Sequence, residues 1–238
     1  MNQPEVLKEI FNLNKISLND LQIDQFLLYY KLLIETNEKF NLTAITDFEE
    51  VIQKHFVDSV INYTHFAKNG LVCDIGSGAG FPAIPLKIMR PDLKIVAVDS
   101  LNKRVNFLQE IAQKLGFENF EAIHSRAQEL HQFRPRESFD YVTARAVAEL
   151  NILTELCAPY VKINGEFIAL KSANIDEELL KSKHAILTLG LTKPIIEDYI
   201  IISKNTQSLN RKILYFKKVN HTPLAYPRPK NKITQNPL

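Results

Sequence analysis

Tryptophan is absent, cysteine and methionine each occur twice, and glycine occurs only seven times in 238 residues. So little cysteine excludes a disulfide scaffold, and so little glycine excludes a collagenous or low-complexity chain. With 45% apolar and 24% charged residues the chain is also too apolar for intrinsic disorder. No apolar run approaches the ~18 uninterrupted residues of a membrane-spanning helix. The opening Met1-Asn2-Gln3-Pro4-Glu5 has neither a basic region nor an apolar stretch leading to a cleavage site. A soluble, unexported, cytoplasmic protein without membrane contact is the expectation. Cys73 and Cys157 sit among apolar neighbours and lack metal-ligand spacing. Both read as core residues in a reducing compartment, and no metal site is expected.

Acid is missing from one stretch. Residues 203–238 carry Lys204, Arg211, Lys212, Lys217, Lys218, Arg228, Lys230 and Lys232 but no Asp or Glu, a charge of +8. The remaining 21 basic residues face all 27 acids, so residues 1–202 sum to −6. A basic end on an acidic body is the outline of a polyanion contact, although a solvated terminal stretch has the same composition.

The periodicity changes near residue 70. Before it the pattern is helical: Ser17 and Asp20 resemble a capping box, followed by Leu21, Phe26, Leu28, Tyr29, Leu32 and Leu33 on one apolar stripe. Asp47 and Glu50 open a further helix with Ile52, Phe56, Val60 and Tyr63 on its inner face. Residues 1–69 therefore read as an N-terminal helical lobe and residues 70–238 as a second domain. In the second, strands at 71–75, 94–98, 120–124, 139–143 and 166–171 alternate with helices at 82–89, 103–115 and 148–156. That alternation predicts parallel βαβ units. Strands at 195–202 and 213–217 are too close for a helical crossover and predict an antiparallel hairpin. The fold class is α/β: a Rossmann-like, doubly wound, mostly parallel seven-stranded sheet with a reversed edge strand.

The chemistry concentrates in Asp74-Ile75-Gly76-Ser77-Gly78-Ala79-Gly80-Phe81-Pro82, where a predicted strand ends and a helix opens. Gly76, Gly78 and Gly80 permit positive φ and let backbone approach a ligand closely. Nineteen residues beyond Gly80, at the end of the second strand, stands Asp99. A carboxylate there can accept both hydroxyls of a ribose, and it can equally cap the helix that follows. A dinucleotide site spaces its glycines G-x-G-x-x-G around a pyrophosphate, whereas this chain has Phe at 81 and reads G-x-G-x-G. The tighter spacing, headed by Asp74, resembles that of class I S-adenosylmethionine-dependent methyltransferases.

Residues at the end of the fourth strand narrow the acceptor. Adenine and cytosine amino-group methyltransferases resemble one another in an Asn/Asp-Pro-Pro-aromatic run, where this chain has Thr143-Ala144-Arg145-Ala146. Carbon-5 pyrimidine methylation needs a cysteine nucleophile, typically after proline. Cys157 follows Leu156 on an apolar helix face and reads as packing. A ring nitrogen such as guanine N7 needs only alignment with the methyl group.

Motifs beyond the glycine loop resemble one family, the bacterial ribosomal RNA small subunit methyltransferase G family, also called glucose-inhibited division protein B. They are Asn41-Leu42-Thr43-Ala44-Ile45, His55-Phe56-Val57-Asp58-Ser59, Val98-Asp99-Ser100, Lys103-Arg104-Val105-Asn106-Phe107-Leu108, Ser125-Arg126-Ala127 and Ala144-Arg145-Ala146, with Lys171, Tyr226-Pro227-Arg228-Pro229 and Pro237-Leu238. The resemblance implies S-adenosylmethionine-dependent methylation of guanine N7 in 16S rRNA of the small ribosomal subunit, by a monomer. It also implies that Gly76 and Phe81 line the cofactor, Ala127 and Gln128 meet its adenine, and Arg145 closes the site. The family commonly has Glu where this chain has Gln128, which leaves a backbone contact there but questions a side-chain one. Arg145 has an alternative role as an ion pair to the lobe. His55 and Asp58, three apart on one helix face, can pair and fix the lobe to the sheet. Lys171, Arg211, Arg228, Lys230 and Lys232 are candidate RNA contacts, and no catalytic side chain is assigned. Other classes remain open: a methyltransferase acting on tRNA, protein or a small molecule, a non-catalytic RNA-binding module, or a nicotinamide oxidoreductase.

Overall fold

A computed structural model describes residues 2–203 and 207–238, so Lys204 lies outside the described residues. The lobe begins with α1 (Gln3–Leu13) and α2 (Asp20–Asn37), each opened by a capping box. For α2 the box is Asn19 with Gln22, not Ser17 with Asp20: Asn19 Oδ1 accepts from the Gln22 amide at 2.8 Å and Gln22 Oε1 from the Asn19 amide at 3.0 Å. The longer glutamine side chain at the third helical position reaches back to the cap as aspartate does not. The Asp47 side chain caps α3 (Phe48–Val51) as expected, accepting from the Glu50 amide at 3.0 Å. The helix then widens into a π-helical segment, Ile52–Val57, before α4 (Asp58–Val60). Such segments recur at functional sites, and this one carries His55.

The rest alternates: β1 (Leu71–Ile75), α5 (Ala83–Met89), β2 (Lys94–Asp99), α6 (Asn102–Lys114), β3 (Phe120–His124), β4 (Phe139–Arg145), α7 (Leu150–Cys157) and β5 (Val161–Ser172). Two short helices that the sequence does not predict come next, α8 (Asp176–Lys181) and α9 (Lys183–Thr188). The chain closes with β6 (Ile195–Ile201), β7 (Leu209–Lys217) and α10 (Lys230–Gln235). One seven-stranded sheet runs in the order β3-β2-β1-β4-β5-β7-β6. Strands β1 to β5 are parallel, and β7 is antiparallel to both β5 and β6. The reversed strand therefore lies one place in from the edge rather than at it. Burial explains the order: Ile213, Leu214, Tyr215 and Phe216 of β7 are buried, whereas Ile195, Ile196 and Ile200 of β6 are exposed. A strand with two apolar faces needs a neighbour on each side, and the exposed one takes the edge.

The lobe shares its core with one face of the sheet. Phe11, Phe26, Tyr29, Phe56 and Phe81 form a chain of ring contacts 5.0 to 6.2 Å apart that runs from α1 to the glycine loop. The other face packs on α7, α9 and α10, where Cys73 and Cys157 are free and fully buried. Burial raises both thiols well above their ordinary value, the opposite of what a nucleophile needs. Among the described residues no helix is long and apolar enough to cross a membrane.

Candidate active site

The glycine loop turns sharply at the carboxyl end of β1, where the Gly76 and Ser77 amides donate to the Val98 carbonyl at 2.8 and 3.0 Å. Gly76, Gly78 and Gly80 have φ of +73°, +58° and +103°. A Cβ on Gly76 would lie 2.6 Å from Val147 across the mouth of a cleft of about 560 Å³. Asp99 lies at this cleft, 3% exposed, with Oδ2 accepting from the Gly78 amide and Oδ1 from the Leu101 amide, both at 2.9 Å. It thus ties the glycine loop to the turn that leads into α6, a helix whose N-terminus receives no side-chain cap. Arg104 stands 3.5 Å from the same carboxylate. Ile75, Val98 and Leu101 line one part of the cleft, Ala127 and Gln128 another, and Ile152 and Leu156 of α7 a third.

Four expected cofactor residues lie elsewhere. Gly78 and Gly80 do not line the cleft; at Gly80 an added Cβ would meet Ile84 and Tyr29, whose hydroxyl donates to the Ala79 carbonyl at 2.6 Å. Phe81 is 6% exposed and turned under the lobe, stacked on His55 with ring centres 4.4 Å apart. Arg145 sits over the Phe81 ring at 5.0 Å and donates to Asp58 Oδ2 at 2.8 Å and the Lys54 carbonyl at 3.1 Å. It takes the alternative role considered for it, an ion pair between sheet and lobe.

That junction forms a second cleft, about 430 Å³, lined by Lys54, His55, Asp58, Arg145, Lys171, Glu178, Arg211 and Lys212. Five cations and two carboxylates line it, and Glu50 and Asp198 just outside the lining pair with Lys54 and Lys212, so five cations meet four carboxylates and a net +1 remains with His55 neutral. Asp58 bridges two of the cations, accepting also from Arg211 Nε at 3.0 Å. His55 and Asp58 do not pair with each other; His55 meets Thr43 at 2.8 Å and Arg145 at 3.2 Å. Ala146 lines both clefts, held at φ +56°, a conformation that costs a non-glycine residue about 1 to 3 kcal/mol and clusters at functional sites.

The candidate RNA contacts separate. Lys171 and Arg211 line the second cleft, with Lys171 also 2.6 Å from Glu178. Arg228 is turned inward on Glu155, which is 0% exposed. Lys230 lines the first cleft, and Lys232 is exposed outside both. Most of the tail's charge is neutralised locally, since Lys212, Lys217 and Lys218 also pair with Asp198, Glu166 and Glu137. Sequence reasoning misses Lys54 and Lys212 in one cleft and Ile152, Leu156, Ile233 and Thr234 in the other. The helical apolar positions are visible in the sequence but indistinguishable from core.

Two groups, the half-buried His55 and the buried Asp74, titrate away from their ordinary values. Burial and the Arg145 cation push His55 down from 6.5 to about 4, while burial pushes Asp74 up from 3.8 to about 6 against a 3.2 Å hydrogen bond from Thr143. As pH falls, the unfolded histidine takes its proton first, so its contribution is complete above 6.5 and is lost progressively towards about 4. Asp74 acts in the opposite sense, because the native carboxyl protonates first below about 6. Urea unfolding of wild type and His55→Gln is therefore expected to show the wild type's advantage shrinking between pH 7 and pH 4.5. A constant advantage would show that the imidazole is not held neutral.

Comparison with known proteins places these features. The family model described as rRNA small subunit methyltransferase G (GidB) matches residues 22–203. The "Ribosomal RNA small subunit methyltransferase G" of Clostridium perfringens (strain 13 / Type A) is 44% identical over 238 residues, 98% of each chain. The Bacillus subtilis (strain 168) protein of the same name is 45% identical over 226 residues, 94% of this chain and 93% of that one. Among solved structures, a "SAM dependent methyltransferase from Aquifex aeolicus" has a TM-score of 0.55 at 18% identity, covering 78% of this chain and 98% of that one. "M. jannaschii TYW2 in complex with AdoMet" has a TM-score of 0.52 at 14% identity, covering 68% and 77%. These two share the fold. By its sequence over nearly its whole length, the chain belongs to the rRNA small subunit methyltransferase G family.

Proposed function

We propose that the protein transfers a methyl group from S-adenosylmethionine to N7 of a guanine in 16S rRNA of the small ribosomal subunit. The observation that carries this reading is the meeting of two clefts at Ala146, one suited to a nucleoside and the other cationic. The first fits the cofactor chemically. A carboxylate has about four acceptor sites; the two backbone amides on Asp99 leave room for ribose hydroxyls. Ile75, Val98, Ile152 and Leu156 offer apolar walls to an adenine, and the backbone beside Ala127 and Gln128 offers polar groups to its edge. Gly76 lets Val147 pack closely against the loop, where a Cβ would stand 2.6 Å from it.

When bound, S-adenosylmethionine supplies a methyl group activated by a sulfonium. Lys54, Arg145, Lys171, Arg211 and Lys212 attract the phosphate backbone that carries the acceptor base. Guanine N7 bears a lone pair and no proton, so the chain's task is to hold it in line and exclude water. No base is required, and His55 is assigned no proton transfer; it stacks on Phe81 and meets Arg145 and Thr43.

The test is transfer of labelled methyl to unmodified 16S rRNA, small subunits and tRNA, with nucleoside mass analysis of the product. Label in 7-methylguanosine from the ribosomal substrates alone is expected, and label in any other nucleoside, or none, would overturn the reading. The two clefts are separable: Gly76→Val should raise the cofactor Kd, whereas Lys171→Ala should raise KM for RNA with the cofactor Kd unchanged within about twofold. Loss of cofactor affinity in Lys171→Ala would merge the two sites.

A further inference from the structure

The family model ends at residue 203, yet the chain beyond it returns to the first cleft. Ile233 and Thr234 of α10 line that cleft together with Lys230, as do Ala127 and, from α7, Ile152 and Leu156. Ile233 is 1% exposed and belongs to the apolar cluster of α7. The segment leading to α10 is anchored at several points. Arg228 Nε and Nη2 donate to the buried Glu155 carboxylate at 2.9 and 2.6 Å, and the Arg228 amide adds a third bond at 2.8 Å. Arg136 donates to the Thr222 and Pro223 carbonyls at 3.1 and 3.3 Å. Lys218 is fully buried, donating to the Ala158 and Leu189 carbonyls at 2.8 and 3.0 Å. A stretch held this way is not a solvated basic arm.

We infer that α10 is a wall of the cofactor site, with Ile233 and Thr234 as cofactor-binding residues supplied from outside the segment that the family model matches. The inference rests on the proposed assignment of S-adenosylmethionine to the first cleft and extends it to the tail. Ile233, packed into the α7 cluster beside Leu156, seats the helix as the floor of the cleft, and the exposed Lys230 and Thr234 shape the rim. The chain end thereby contributes to cofactor retention, a role its charge alone does not suggest. Reciprocity of binding then requires that a bound cofactor steady α10 as much as α10 holds the cofactor.

The experiment is calorimetric titration of S-adenosylhomocysteine into the full chain and its Ile233→Asp and Asn231→Ala variants, with thermal melts alongside. A rise in Kd of at least tenfold for Ile233→Asp, with Asn231→Ala unchanged, is expected, because Asn231 is exposed and does not line the cleft. The chain has no tryptophan, so Thr234→Trp supplies a single reporter at an exposed position. Its emission should change on titration and saturate at the concentration given by that variant's own calorimetry. This readout decides the matter should Ile233→Asp fail to fold. Wild-type binding with a silent tryptophan and an unchanged Kd in a folded Ile233→Asp would overturn the wall while leaving the cofactor assignment standing. No binding by the wild type would instead remove the cofactor assignment, and the wall with it.

Discussion

Gly80→Ala is expected to destabilise the protein by about 3 kcal/mol or more, whereas Gly78→Ala should cost about 1 kcal/mol and leave the fold intact. The two glycines share a loop but not an environment. A Cβ at Gly80 would lie 2.5 Å from Ile84 Cγ1, 2.9 Å from Tyr29 Oη and 3.1 Å from Leu108, in backbone at φ +103° that lies beyond the left-handed helical well. None of these neighbours is free to retreat. Tyr29 is fully buried and tied by its hydroxyl to the Ala79 carbonyl, and Ile84 and Leu108 are also 0% exposed. At Gly78 the nearest atom stands 3.9 Å away and φ is +58°, a value alanine adopts at modest cost. Urea midpoints of the two variants check this. Equal losses would mean that the lobe does not clamp the loop. The contrast matters because stability totals only about 5 to 15 kcal/mol, so a loss of about 3 reduces the folded population severely.

Arg228→Ala should be equally costly for an electrostatic reason. Glu155 is 0% exposed, and Arg228 is its charged partner, through a bidentate fork and a backbone bond. Removing one member of a buried pair leaves an uncompensated charge and costs about 3 to 5 kcal/mol. In a chain of this size that lowers Tm by on the order of 10 °C. Lysine should rescue only in part, since an ammonium cannot reproduce the planar fork. Replacing both residues by apolar ones of similar volume, as in Arg228→Met with Glu155→Leu, should recover much of the loss. A melt unchanged by Arg228→Ala would show the pair to be solvated and the tail unanchored.

The legible and illegible parts of the molecule divide along physical lines. Strands at 71–75 and 120–124 are legible to the residue, because short apolar runs bounded by turn residues carry their own signal. The helices α8 and α9 are not, being six residues each with few buried side chains and little periodicity. The glycine loop and Asp99 are legible because a turn at positive φ and the carboxylate that holds its amide demand particular residue types at particular spacings. The family resemblance implies Phe81 and Arg145 as cofactor contacts. Instead, the ring contacts of Phe81 with Tyr29, His55 and Phe56 and the Asp58 ion pair draw both towards the lobe.

The sequence by itself determined the alternating α/β order, the strand, turn and helix around the glycine loop, and the family. The first two depend on residues near one another in the chain, and the family on motifs spread along it. Tertiary structure alone decided that β7 lies inside the sheet, that the cationic cleft adjoins the glycine-loop cleft at Ala146, and that the basic tail is mostly paired with carboxylates. Those outcomes depend on contacts across long separations, such as Arg228 with Glu155, 73 residues apart, and Arg211 with Asp58, 153 apart. A charge count along the chain records the cations but not the carboxylates that folding brings to meet them.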